Sequence, residues 1–146
     1  MIEVKRLAEY SPETAMRVRE LLIELSRSGR DKGEIPEEWF RDVTASPWHD
    51  LLMACEGEKI LGIASVSIVM GAGVRKNAYL EDFVFSSEAR GKGVGGILWQ
   101  AMIEWGKEKG ATRMEFTCGE GREAAQQFYK NHGAKIYPTN FFRIEF

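Results

Sequence analysis

Cysteine and histidine are scarce in this chain of 146 residues, at two each. Cys55 and Cys118 are too few for a disulfide framework. His49 and His132 stand far from each other and from both cysteines, so no metal-ligand spacing is present. Charge of one sign is missing too. The net charge of −2 gives no electrostatic case for a nucleic acid or a membrane surface as partner. Long hydrophobic runs are also lacking: the stretch 60–74 is broken by Ser65, Ser67 and three glycines. It falls short of the ~20 apolar residues that span a bilayer. Met1-Ile2-Glu3-Val4-Lys5 alternates like a strand and has no signal-peptide character, so a cytoplasmic protein is expected. Proline numbers only four, and no low-complexity linker or internal repeat divides the chain.

What is present suits one domain over residues 1–146, with 44% hydrophobic and 29% charged residues. A first strand is expected over 1–7. Ser11-Pro12-Glu13 is a helix start, with a capping serine, proline at the first helical position and an acid in the first turn. Ala15, Val18, Leu21, Leu22 and Leu25 then recur at helical spacing as far as Gly29. A short helix is expected over 36–44, with Trp39, Phe40 and Val43 on one side. Two strands, 51–55 and 60–70, flank the turn Glu56-Gly57-Glu58-Lys59. After a loop over 71–77 come a strand at 78–85, a helix over 95–109 and a strand at 113–118. A helix over 121–132 and two short strands, 134–137 and 141–146, close an α/β chain. The last strand is apolar enough to pair with a second subunit as a homodimer, and an internal hairpin explains it equally well.

The richest segment is Arg90-Gly91-Lys92-Gly93-Val94-Gly95-Gly96, where a strand hands over to a helix. Glycine permits positive φ and close approach of another molecule to the backbone. A helix start offers unpaired N–H groups and partial positive charge. Together these make a socket for phosphate oxygens. The Walker pattern is excluded, because Lys92 lies between the first two glycines. The dinucleotide fingerprint is matched literally by Gly91, Gly93 and Gly96, with an acid 19 residues on at Glu115. Its context is wrong: residues 86–90 separate the strand from the glycines, and only 50 residues follow Gly96.

A third pattern covers more of the chain. Arg90-x-x-Gly93-x-Gly95, the approach Phe83-Val84-Phe85, and Ala125-x-x-Phe128-Tyr129-Lys130-x-x-Gly133-Ala134 together resemble the GNAT (GCN5-related N-acetyltransferase) superfamily. The resemblance implies a mixed, mostly antiparallel twisted sheet with a splayed parallel pair and about four helices. It also implies acetyl-CoA as cosubstrate, with its pyrophosphate against the backbone of Arg90, Gly91, Lys92, Gly93, Val94, Gly95 and Gly96. The pantetheine arm would run as an added pseudo-strand along Phe83, Val84 and Phe85. No metal is implied. Arg122 departs from the pattern, which often has Asn there.

By the same resemblance Tyr129 matches the tyrosine that protonates the departing thiolate, and a phenol is protonated at neutral pH. The attacking amine must lose a proton to a base or a water relay. Leu80-Glu81-Asp82-Phe83 resembles the acidic strand of members acting on amino-sugar phosphates and small aminoalkyl compounds. Glu81 ranks first as base or ammonium-binding group, then Asp82, then Glu115; each is also readable as a strand-end carboxylate. Arg27, Arg30, Asp31, Trp39, Phe40, Trp48 and His49 lie where substrate walls form in this fold, and solvated charges and core aromatics explain them as well. The expectation is an N-acetyltransferase acting by direct attack on a small primary amine: an amino sugar, an aminoalkyl acid or a polyamine. A protein N-terminal or lysine acetyltransferase is the first alternative, and a non-catalytic CoA-binding module the second.

Overall fold

The computed structural model describes residues 1–73 and 75–146, in two compact units, Met1–Phe116 and Thr117–Phe146. The loop expected over 71–77 includes Val74, which lies outside the described residues.

In the first unit, five strands form one sheet in sequence order: β1 (Ile2–Arg6), β2 (His49–Glu56), β3 (Lys59–Met70), β4 (Lys76–Phe85) and β5 (Met114–Glu115). The first four pair antiparallel, and β4 pairs with β5 in parallel. The expected mixed, mostly antiparallel sheet with one parallel pair is thus present. Helices α1 (Pro12–Leu25) and α2 (Glu37–Ala45) follow β1, and α3 (Val94–Glu108) connects β4 to β5.

Local chemistry explains the boundaries. The Ser11 side chain accepts from the Thr14 N–H at 3.1 Å, and Pro12 starts α1. The helix stops at Ser26, short of Gly29, whose φ of 65° turns the chain in the loop beyond. On one side of the sheet, Val18 and Leu21 of α1 and Phe40 and Val43 of α2 pack with Leu51, Ile63 and Val84. Removing a side chain such as Leu21 or Phe40 from water stabilises by about 1.5–3 kcal/mol. That burial holds two short helices whose propensity alone would not. On the other side lies α3, whose Leu98, Met102 and Trp105 are buried. The Trp105 indole N–H donates to Asp50 Oδ2 at 2.7 Å, so this core aromatic leaves no unpaired polar atom.

An irregularity in β4 determines which side chains face which helices. Val66 of β3 opposes Leu80 and Ala64 opposes Phe83, so Ser65 alone stands opposite both Glu81 and Asp82. This is a β-bulge, and it interrupts strict alternation. Leu80 and Phe83 share the α3 side with their partners, and the Phe83 ring meets Trp99 of α3 at 6.3 Å. Val84 and Asp82 face α1 and α2. Beyond the bulge, β3 and β4 approach so closely that a Cβ on Gly62 would stand 2.9 Å from Phe85 Cβ.

The second unit contains α4 (Glu123–Asn131). Residues 134–146 form no strand within it, in contrast to the two short strands expected there. A strand needs a partner for its N–H and C=O groups, and this unit holds only a helix. No described helix is long and apolar enough to cross a membrane.

Candidate functional site

Two features meet at the end of β4: a glycine turn and a cavity containing a carboxylate. The parallel pairing of β4 with β5 covers only Ala78 with Met114 and Tyr79 with Glu115. Past Tyr79, through Phe83, Val84 and Phe85, no described β5 residue pairs with β4.

After β4 the backbone is pinned before it reaches the glycines. Ser86 donates its N–H to Leu61 O at 2.7 Å. Glu24 of α1 accepts from the Ser86 hydroxyl at 3.4 Å and from the Ser87 N–H at 3.1 Å. Ser86 Oγ in turn accepts from the Glu88 N–H and caps a short 3₁₀ turn, Ser87–Ala89. Sequence patterning did not single out Glu24, because its partners lie more than sixty residues away.

Gly91 and Gly93 then take φ of 76° and 72°, and nothing lies within 4 Å of where a Cβ on either would stand. Gly93 occupies the cap position of α3, and no side chain caps that helix start. Val94 and Gly95 open its first turn and are buried, with Gly96 next. Lys92 donates its N–H to Ala89 O at 3.1 Å, while the first N–H groups of α3 have no intrahelical acceptor and open space stands beside the two glycines, which fits phosphate oxygens. Arg90 makes no ion pair among the described residues, whereas Lys92 is 3.0 Å from Glu56. A neighbouring surface pair joins Lys59 to Glu88. Lys92 and Glu56 are each more than two-fifths exposed, so the pair holds Lys92 only loosely.

Of the three candidate carboxylates, Asp82 is the one set in a cavity wall. A cavity of about 140 Å³ is lined by Val18, Leu22, Ile35, Trp39, Leu51, Ile63 and Asp82. Asp82 has neither a hydrogen bond nor an ion pair among the described residues. Burial pushes its carboxyl above the usual 3.8, the Glu81 charge adds to this, and Lys32 opposes it. Glu81 is exposed at the bulge. Glu115 is half exposed on β5 and stands 3.3 Å from Arg113.

In its own unit, Tyr129 lies on α4 with its ring edge-on to Phe128 at 5.8 Å. Burial raises its phenol pKa, Cys118 adds to the rise and Arg122 opposes it, so the hydroxyl stays a donor at neutral pH. Arg122 is the cap residue of α4 and makes no capping bond, since a guanidinium has no acceptor.

The expected wall residues divide. Trp39 lines the cavity, while Phe40 is fully buried between Tyr10 and Trp39. Asp31 is bound by the Arg19 fork at 2.9 and 2.7 Å and accepts from the Gly33 N–H, which holds its pKa down at about 2. Lys76 lies over the Trp48 ring at 4.6 Å. His49 begins β2, and Arg30 binds Ser26 Oγ through its backbone N–H, so neither side chain is tied to the cavity. Arg27 likewise lies outside the cavity lining. The sequence-based reading missed Val18, Leu22, Ile35, Leu51 and Ile63 as cavity lining. Their only signal was apolar character, which they share with the core.

The model of the acetyltransferase (GNAT) family matches residues 15–134. Among solved structures, a transcriptional regulator from Bacillus halodurans C-125 is 22% identical, covers 100% of each chain and superposes with a TM-score of 0.83. An aminoglycoside acetyltransferase from an uncultured soil metagenomic sample, in complex with sisomicin, is 18% identical at a TM-score of 0.82. That match covers 99% of this chain and 96% of the other. An aminoglycoside N-acetyltransferase in complex with CoA is 17% identical, covering 99% and 95%, at a TM-score of 0.77. At these identities the likeness is one of fold.

Proposed function

Because the chain belongs to the acetyltransferase (GNAT) family, we propose that it transfers an acetyl group from acetyl-CoA to the primary amine of a small molecule. The observation that carries this is the uncapped, glycine-lined start of α3 at Gly91 and Gly93, which suits a pyrophosphate. On this reading residues 1–146 act as one acetyltransferase domain in the cytoplasm. An amino sugar, an aminoalkyl acid and a polyamine are the acceptor classes that the sequence resemblance brings forward. The fold likeness to aminoglycoside acetyltransferases agrees with a small acceptor.

Acetyl-CoA supplies an activated thioester: the amine nitrogen bonds to its carbonyl carbon, and the C–S bond breaks to leave a thiolate. The residues of this chain have four tasks. Backbone N–H groups of Gly91 and of residues 93–96, with the side chains of Arg90 and Lys92, hold the phosphates. The β4 edge at Phe83, Val84 and Phe85 offers hydrogen bonds to the pantetheine amides. Asp82 takes the proton from the attacking ammonium, because a desolvated carboxylate is a stronger base than an exposed one. Glu81 and Glu115 are the other candidates, and both stand outside the cavity lining. Tyr129 donates its phenolic proton to the thiolate.

The test is an amine panel incubated with acetyl-CoA, read by release of free thiol and by a mass gain of one acetyl group on the amine. Turnover is expected, and Tyr129→Phe should lower kcat by on the order of a hundredfold. Unchanged turnover in that variant would remove the acid role. CoA binding with no acceptor acetylated would leave a CoA-binding module.

A further inference from the structure

The cavity beside the β4 bulge is built unlike a site for a sugar or a polyamine. Six of its seven lining residues are apolar, and they come from α1, the loop before α2, α2, β2 and β3. Its one charged group, Asp82, has no hydrogen bond or ion pair from its side chain among the described residues. A half-buried carboxylate without a partner is costly, and a cation that brings its own apolar covering reduces that cost. The volume of about 140 Å³ is close to that of an engineered apolar cavity, ~150 Å³, that binds benzene. A single ring or a short branched alkyl group therefore fills it.

From these observations we infer that the acceptor is a primary monoamine with an apolar body, its ammonium against Asp82 and its ring or alkyl group among Trp39, Ile35 and Leu22. This inference rests on the acetyltransferase reading and narrows its acceptor. A polyamine would bury a second ammonium where no second carboxylate lines the wall. An amino sugar would bring several hydroxyls to five side chains that cannot bond them and to Trp39, which offers a single indole donor. Unmatched polar groups of this kind cost roughly tenfold to hundredfold each in kcat/KM.

The experiment compares 2-phenylethylamine, isobutylamine, spermidine and sisomicin in two ways. The first is binding by calorimetry, and the second is acetylation followed by thiol release. Expected are saturable binding of 2-phenylethylamine, its loss in Asp82→Asn, and a kcat/KM at least about tenfold above spermidine and sisomicin. Ile35→Asp adds a second carboxylate to the wall from the loop before α2, and a variant shown to be folded by its melting transition should narrow the gap between spermidine and 2-phenylethylamine. Spermidine or sisomicin turned over as well as the apolar amines would overturn the inference while leaving the transferase reading intact. Saturable binding of 2-phenylethylamine without any acetyl transfer would instead sink the transferase reading and keep the amine site. Failure of the apolar amines to bind and to react would overturn the inference outright.

Discussion

At the scale of the residue, Asp82 makes opposite demands on stability and on activity. Its folded pKa lies above the ordinary 3.8 because burial, and then Glu81, disfavour the charged form. The folded state therefore holds the proton more tightly than the unfolded chain. Stability falls as pH rises from 3.8 through the folded pKa, and the penalty persists at neutral pH. Asp82→Asn should raise Tm at pH 7, and the difference should close below pH 3.8, where the aspartate is protonated in both states. The same substitution removes the proposed base. We expect kcat/KM of the parent to climb with pH at a midpoint above 3.8, and the variant to be flat and lower by on the order of a hundredfold. A variant less stable at pH 7 than the parent would contradict the unpaired carboxylate, and an unaltered acidic limb would move the base elsewhere. Glu81-Asp82 read as an acidic pair in the sequence. Which of the two faces the helices α1 and α2 could not be read there, because no residue type at 80–83 marks the extra residue that the bulge adds.

Among elements, the glycine turn depends on α1. Glu24 bridges α1 to Ser86 and Ser87 by two bonds from a carboxylate, and such charge-assisted bonds are stronger than neutral ones. Glu24 touches no proposed ligand, so it is a positioning residue. Glu24→Ala should raise KM for acetyl-CoA several-fold with kcat nearly unchanged, and Glu24→Gln should restore most of the loss. Steady-state kinetics with acetyl-CoA varied would check this, and a fall in kcat at constant KM would deny the positioning role. The ends of α1 and the glycine turn were legible because Ser11, Pro12, Gly91 and Gly93 act locally: caps and positive φ are decided by neighbours in sequence. The strands expected over 134–137 and 141–146 were not legible in this way. Alternation shows that a segment could pair, and only the fold supplies the partner. The cavity was hidden for the same reason, since its lining comes from separate elements that no window of sequence brings together.

For the molecule as a whole, ligand binding must appear as stability, because a glycine-lined helix start exists only in the folded chain. A ligand present at a hundred times its Kd stabilises the native state by about 2.7 kcal/mol. For a chain near this length each kcal/mol moves Tm by roughly 2–4 °C. Acetyl-CoA should therefore raise Tm by about 5–10 °C. Inorganic phosphate should do far less, since one small anion engages fewer of the N–H groups of Gly91 and residues 93–96 and none of the β4 edge. Gly93→Val separates the parts of this argument. At φ 72° a β-branched residue is strained, so the variant without ligand should melt lower than the parent. An added Cβ has no protein atom within 4 Å, so the strain is local to the turn. If the turn is the phosphate socket, the strained variant must also lose most of the acetyl-CoA shift. A variant that melts lower and still keeps the full shift would mean that the ligand is held elsewhere. The glycine turn would then be only a connection between β4 and α3.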